Sequence, residues 1–319
     1  MALAVGVDIG GTKIASGLAR ADGVVVAARR HATPGDAREV APLVVEIVRE
    51  LCDEAGVGVL PVGVGAPGII DRVGVVRYAP NIAWADYPLR DELARALGTP
   101  VTVHNDANVA AWGEFRAGAG RSAASDMVMV TVGTGVGGGL VLDGRLVGGA
   151  HGLAAELGHV ILLEGGPPCP CGNRGCLEAL ASGTAIGRSA REALAAGEMP
   201  HASPLARAAP AALTGKTVTQ AAEAGDPFAE GLLARAGFWL GVGIASLVNA
   251  LDPEMVVVGG GAMEAGDLLL EPARAAFAER LMGRAHRPLP LLEPAGLADA
   301  AGFVGAALLA MDVAATTGA

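Results

Sequence analysis

Aromatic residues are scarce in this chain: five Phe, three Trp and two Tyr make up 3% of 319 residues. With 52% hydrophobic content, the core must be built from Ala, Val and Leu. No run of Lys or Arg occurs and the net charge is −10, which argues against a nucleic-acid-binding surface. The acidic balance is read as plain solubility. The N-terminal residues lead directly into Asp8 with no basic start and no cleavage site, so no secretory signal is expected. One uncharged stretch of membrane-like composition, Ala236–Leu251, has sixteen residues. As a helix it would be about 24 Å long, short of a ~30 Å hydrocarbon layer, and it stops at Asp252–Pro253. It reads as a buried core helix. The chain is expected to be cytoplasmic, without a membrane or nucleic-acid partner.

Glycine, by contrast, is abundant. The 48 glycines cluster at turns and not in a low-complexity tract, so neither disorder nor a collagen-like repeat is the reading. The length favours about two domains. Val5–Ile9, a turn at Gly10–Gly11–Thr12 and Ile14–Leu18 read as strand, turn and strand, with a third strand after Ala21–Asp22–Gly23. A helix is expected from about Asp36 to Ala55, with Val40, Leu43, Val44, Ile47, Val48 and Leu51 on one face and Cys52 in its packing. Then come a strand at Val62–Ala66, a loop around Asn81–Tyr87, a helix at Leu89–Leu97 and a strand at Val101–His104. The opening grammar returns about 120 residues on, where Met127–Val132, Gly133–Thr134–Gly135 and Gly138–Leu142 repeat strand, turn and strand. Such duplication predicts two related α/β domains facing a cleft. A strand at Met255–Val258 and a last helix at Gly302–Val313 close the pattern.

Three Gly-rich turns follow buried strands: Gly10–Lys13, Gly133–Gly139 and Gly259–Gly261. Glycine lets backbone N–H groups approach a ligand, and Thr12 and Thr134 add hydroxyls. Gly133-x-Gly135-x-x-Gly138 matches the dinucleotide fingerprint, but a strand follows where a helix is required, and the P-loop pattern is absent. Three such turns together favour a nucleotide over tight turns without ligand. Asp8 ends the first strand; it either caps the hairpin or holds Mg²⁺ through water beside the phosphates. His104-Asn105-Asp106-Ala107-Asn108 puts a polar cluster between a strand and a helix. Asp106 is either a helix N-cap or a base that accepts a proton during phosphoryl transfer.

Cysteine is sparse, yet three of the four fall within eight residues, Cys169, Cys171 and Cys176, with His159 ten residues ahead of the first. One imidazole and three thiolates make a closed tetrahedral set for a structural Zn²⁺. Disulfides fit poorly in a chain without secretory marks, and unrelated buried cysteines are the other alternative. Glu156 and Glu178 bracket the set. With Asp106 they supply side-chain acceptors dense enough for a polyol.

These motifs resemble the ROK family of sugar kinases within the actin-like ATPase superfamily, its glucokinases above all. The likeness runs through Asp8-Ile-Gly-Gly-Thr-Lys13, Gly63-Val-Gly-Ala-Pro-Gly68, Asn105-Asp-Ala-Asn108, Gly133-Thr-Gly135, Glu156-Leu-Gly-His159 and Cys169-Pro-Cys-Gly-Asn-Arg-Gly-Cys176-Leu-Glu178. The resemblance implies an actin-like, ribonuclease H-like duplicated α/β fold. Residues 1–108 plus about 300–319 would form the smaller domain, and 109–299 the larger. It implies Asp106 as general base toward the sugar 6-hydroxyl. Asn105, Glu156, His159 and Glu178 would bind the other hydroxyls, and backbone around Gly65, Ala66 and Pro67 would close over the ring. Asp8, Gly10, Gly11, Thr12, Lys13, Thr134 and Gly135 would serve the phosphates of Mg·ATP, with Gly259, Gly260 and Gly261 near the adenosine. It further implies a homodimer or homotetramer acting on glucose or a related hexose (N-acetylmannosamine, N-acetylglucosamine or mannose). A sugar-responsive regulator of the same family is disfavoured, because no helix-turn-helix precedes Asp8.

Overall fold

Strand alternation sets the first layer. In β1 (Leu3–Ile9), Val5, Val7 and Ile9 are fully buried on one face, while Ala4, Gly6 and Asp8 point to the other. β2 (Lys13–Arg20) and β3 (Val25–Ala32) pair antiparallel beside it. α1 (Ala37–Glu54), capped by Asp36 accepting from the Arg38 N–H, lays Val40, Val44, Ile47, Val48 and Leu51 onto the Val5 face. β4 (Val62–Ala66) follows, then β5 (Ile69–Ile70), β6 (Val76–Ala79) and β7 (Trp84–Tyr87), which form a small sheet of their own. Sequence reading expects a loop over Asn81–Tyr87. The strand there escapes notice because it is only four residues long, mostly exposed, and interrupted by a positive φ of 49° at Asp86.

α2 (Leu89–Leu97) ends at Gly98 with φ 67°, a left-handed cap. β8 (Val101–Asn105) completes a sheet of order β3-β2-β1-β4-β8, in which β1, β4 and β8 are parallel. α3 (Asp106–Ala117) starts directly from β8. The duplicate begins with β9 (Met127–Val132), β10 (Val136–Leu142) and β11 (Arg145–Leu146). There follow α4 (Leu177–Ala181), α5 (Gly183–Ala195), α6 (Gly215–Glu223), α7 (Pro227–Leu251), β12 (Met255–Gly259), α8 (Asp267–Arg280), β13 (Leu291–Pro294) and α9 (Ala301–Thr317). The second sheet runs β11-β10-β9-β12-β13, with β10 and β11 antiparallel and β12 and β13 parallel, the order of the first sheet repeated. The fold is therefore the duplicated α/β one that the sequence repeat predicts, and the actin-like one that the ROK resemblance implies. This computed structural model describes residues 2–317 apart from Pro80 and Ala124.

The chain divides into two compact units, one of Met1–Val128, Gly139–Ala155 and the residues from Ala295 onward, the other of Met129–Gly138 and Glu156–Pro294. The first reaches beyond residue 108 because α3 packs closely on α9. A Cβ at Gly305 would lie 1.7 Å from the Val109 carbonyl oxygen, and one at Gly113 2.4 Å from that of Ala301. α9 lies equally close to the sheet, where a Cβ at Gly63 would lie 1.8 Å from the Ala306 carbonyl oxygen. By length and composition α7 and the α9 segment could each cross a membrane, but 56% of each apolar window is buried within the molecule. α7 packs on α8, α6 and α4, as a core helix should.

Alanine favours a helix over glycine by about 1 kcal/mol, whereas overpacking costs about 1–3 kcal/mol. At 1.7 Å the clash should win. Gly305→Ala is expected to lower the urea unfolding midpoint, and an unchanged or raised midpoint would show that α3 and α9 separate without cost.

Candidate active site

In the first unit, the parallel register lines up three strand ends. Asp8 stands opposite Gly65, Gly65 opposite His104, and Ala66 opposite Asn105. Gly65 has room for no side chain: a Cβ there would lie 2.5 Å from Val109 Cγ2 and 3.5 Å from both Asp8 Oδ1 and the Asp106 Cα. Ala66 is fully buried beneath the Pro67–Gly68 turn. Burial and the nearby Asp106 carboxylate push Asp8 up to about 7, against the pull of Lys13. Two acids this close favour a divalent cation between them and a phosphate. That donor set suits Mg²⁺, which takes one or two carboxylates with phosphate and water.

The helix cap that the sequence leaves open belongs to Asn105. Its Oδ1 accepts from the N–H of Ala107 at 2.9 Å and of Asn108 at 3.2 Å, while its Nδ2 donates to the Gly68 carbonyl at 3.1 Å. One amide hydrogen is left over for a ligand hydroxyl. Asp106 is the first helical residue, and its Oδ1 accepts from the Ala107 N–H at 2.8 Å. Burial holds the neighbouring His104 below the usual imidazole range. Gly11, Thr12 and Lys13 are exposed on a turn closed by the Gly10 N–H donating to the Lys13 carbonyl at 2.9 Å. Thr33 braces it, its hydroxyl donating to the Gly10 carbonyl at 2.7 Å. Lys13 Nζ pairs with Asp299 at 3.2 Å.

In the second unit, His159 and Cys169, Cys171 and Cys176 come together with all four ligand atoms within 4.8 Å of one another. The turn that gathers the thiols is closed by the Cys169 N–H donating to the Asn173 carbonyl and the Gly172 N–H to the Cys169 carbonyl. Cys169 Sγ is 3.6 Å from His159 Nδ1, and Cys171 Sγ is 3.7 Å from Cys176 Sγ. A tetrahedral Zn²⁺ with bonds of about 2.3 Å to sulfur and 2.0 Å to nitrogen places its ligands about 3.5–3.8 Å apart. These residues therefore fit a zinc ion. All four cysteines are free thiols, so the disulfide alternative does not hold. Burial pushes the Cys169 thiol up to about 12, so its thiolate needs a cation beside it, whereas the Asn173 N–H draws Cys171 down.

The bracketing acids reach this cluster from both ends. His159 turns Nδ1 toward the thiols and Nε2 toward Glu156 Oε2, 3.9 Å away. Partial burial and Glu178 raise the Glu156 carboxyl, against the pull of His159. Glu178 Oε1 lies 3.7 Å from Cys169 Sγ, and its Oε2 accepts from the Val136 N–H at 2.9 Å. That approach requires glycine next door, since a Cβ at Gly135 would lie 2.4 Å from Oε2. One carboxylate thus links the cysteine cluster to the second Gly/Thr turn.

The turn itself borders a cavity of about 460 Å³ lined by Gly133, Thr134, Thr184, Arg191, Lys216, Gly261 and Glu264. The N-termini of α5, capped by Ser182, and of α6, with its Thr214–Thr217 capping box, both open onto it. Two helix dipoles and two cationic side chains make this wall receptive to anions. Gly259 ends β12, Gly260 turns at φ 90° against the Val132 carbonyl, and Gly261 enters the lining. Thr184, Arg191, Lys216 and Glu264 escape sequence reading because each is a single polar residue on a separate element.

The family model described as "ROK family" matches residues 4–313. This chain belongs to the ROK family. It is 37% identical to the glucokinase of Streptomyces coelicolor over 319 residues, 98% of each chain, and 38% identical to that of Thermotoga maritima over 311 residues, 94% of this chain and 96% of the other. Its fold matches a ROK family glucokinase from Streptomyces griseus, crystallised with glucose and AMPPNP, at a TM-score of 0.85 and 39% identity, covering 97% of this chain and 99% of that one. Within a ROK chain the His/Cys cluster makes a direct prediction. Cys171→Ser should lose bound metal, read by metal analysis of the purified protein, and lose catalytic activity with it. Full activity in a metal-free protein would leave the cluster without a part in shaping the site.

Proposed function

We propose that this chain transfers the γ-phosphoryl group of ATP to the 6-hydroxyl of glucose, giving glucose 6-phosphate and ADP. The observation that carries the reading is the near full-length match to a glucokinase bound to glucose and AMPPNP, in a chain that keeps both sets of polar groups described above. Asp106 acts as general base. As the sugar oxygen bonds to the γ-phosphorus and the bond to the bridging oxygen of ADP breaks, its carboxylate accepts the hydroxyl proton. Asn105 offers its remaining amide hydrogen to the ring, and backbone at Gly65, Ala66 and Pro67 lies against it. Glu156, His159 and Glu178 bind further hydroxyls, each oriented by its neighbours and so set before sugar arrives.

The exposed turn at Gly10, Gly11, Thr12 and Lys13 and the second turn at Thr134 and Gly135 receive the phosphates. The cavity beside Gly261, with Lys216 and Arg191 in its wall, takes the nucleoside end. Mg²⁺ bound near Asp8 would neutralise phosphate charge, and Zn²⁺ held by His159, Cys169, Cys171 and Cys176 would be structural, with no position open to substrate. His159, whose Nδ1 faces the thiols, would hold that metal through Nδ1 and leave Nε2 for the sugar and for Glu156.

Asp106→Asn keeps the shape of the helix start and removes the base. Its kcat is expected to fall by at least about a hundredfold, while glucose affinity, measured by calorimetry, stays near the wild-type value. A variant with near-normal kcat would assign Asp106 a purely structural place at the start of α3.

A further inference from the structure

Glu114 is fully buried near the end of α3 and has no part in the reaction described above. Its Oε2 accepts hydrogen bonds from the N–H of Ala119 at 2.8 Å and of Gly296 at 2.9 Å, and its Oε1 from the N–H of Leu297 at 2.7 Å. A carboxylate is tolerated inside a protein only when donors meet its charge, and here three backbone N–H groups do so. They come from two segments far apart in sequence: the turn that ends α3 and the stretch just ahead of α9. Gly118 leaves space for the carboxylate, since a Cβ there would lie 2.0 Å from Oε2.

The stretch that Glu114 holds leads straight to the phosphate turn. Two residues past Leu297, Asp299 accepts from Lys13 Nζ at 3.2 Å and from Arg30 at 2.9 Å. Three residues further, Gly302 stands so close to Asp8 that a Cβ would lie 2.4 Å from its Oδ2. The Lys13–Asp299 pair is more than half exposed on both sides, and such pairs are too weak to locate a loop unaided. The buried, triply bonded carboxylate is the firm end of the segment. We propose that Glu114 is a positioning residue for the phosphate-binding end of the first unit, setting through residues 296–302 where Lys13 and Asp8 stand. This rests on the kinase reading and deepens it.

The test uses the metal-replete protein and compares binding of Mg·AMPPNP with binding of glucose by calorimetry. Glu114→Gln keeps the shape and exchanges one acceptor for a donor that faces an N–H. Its Mg·AMPPNP dissociation constant is expected to rise about tenfold, the loss of one charge-assisted hydrogen bond, while that for glucose stays within about twofold. Gly296→Ala leaves Glu114 intact and wedges the two segments apart, because its Cβ would lie 2.9 Å from the Ala119 nitrogen. It should weaken Mg·AMPPNP in the same direction with glucose again unchanged, and it decides the question if Glu114→Gln does not fold. Unchanged nucleotide affinity, or a parallel loss of nucleotide and glucose affinity, overturns the proposal. Wild-type protein that binds no Mg·AMPPNP overturns the kinase reading and this one together. Wild-type protein that binds it, with both variants binding equally well, overturns this one alone.

Discussion

Backbone packed against backbone is the constraint on which this molecule depends. A chain with few aromatic rings and many glycines holds its elements at separations that admit no side chain. In the first unit, the approach of α3 and the sheet to α9 at Gly305 and Gly63 fixes three strand ends and two helix ends relative to one another. Asp8, Gly65 and Asp106 are neighbours for that reason. In the second unit, the approach of Glu178 to Gly135 joins the cysteine cluster to the Gly/Thr turn. The geometry of the polar groups in both units is set by chain proximity, which leaves little freedom to be lost when a ligand binds.

The electrostatics follow from this packing. Asp8 is held near Asp106 by the sheet register and the start of α3, and burial together with that neighbouring charge raises the cost of ionising Asp8. In the proposed reaction such a pair, unfavourable by itself, would be favoured by a metal–phosphate complex. At Glu156, partial burial and the neighbouring Glu178 likewise raise the carboxyl, with His159 as the moderating group. The anion-receptive cavity of the second unit differs in setting helix N-termini and two cationic side chains, Arg191 and Lys216, against the single acid Glu264. Each end of the proposed reaction is thereby matched in charge: acids and amides for a polyol and a metal, dipoles and cations beside the nucleotide.

Much of this was legible in the residues. Periodicity located α1 and α2, the repeated strand–turn–strand unit foretold the duplicated sheets, and the spacing of His159, Cys169, Cys171 and Cys176 foretold their convergence. The ROK resemblance supplied the expected roles of Asp106 and the sugar-binding acids. What stayed hidden depended on distance in space. The strand at Trp84–Tyr87 is too short to show a period, and α8 carries Pro272 within it. Whether Asn105 or Asp106 caps α3 turns on which side chain reaches the N–H groups of Ala107 and Asn108, and only coordinates decide that. Thr184, Lys216 and Glu264 form a cavity wall through folding alone, and nothing in their local sequence marks them.

Which sugar is phosphorylated tests the proposed reaction most directly. A panel of hexoses and N-acetylhexosamines with ATP, followed by ADP release and by nuclear magnetic resonance of the product, addresses this in a single measurement. Glucose should give the highest kcat/KM, with one ADP formed per sugar and the new phosphate on the 6-hydroxyl. No sugar-dependent ADP release, or a clear preference for another hexose, would contradict it.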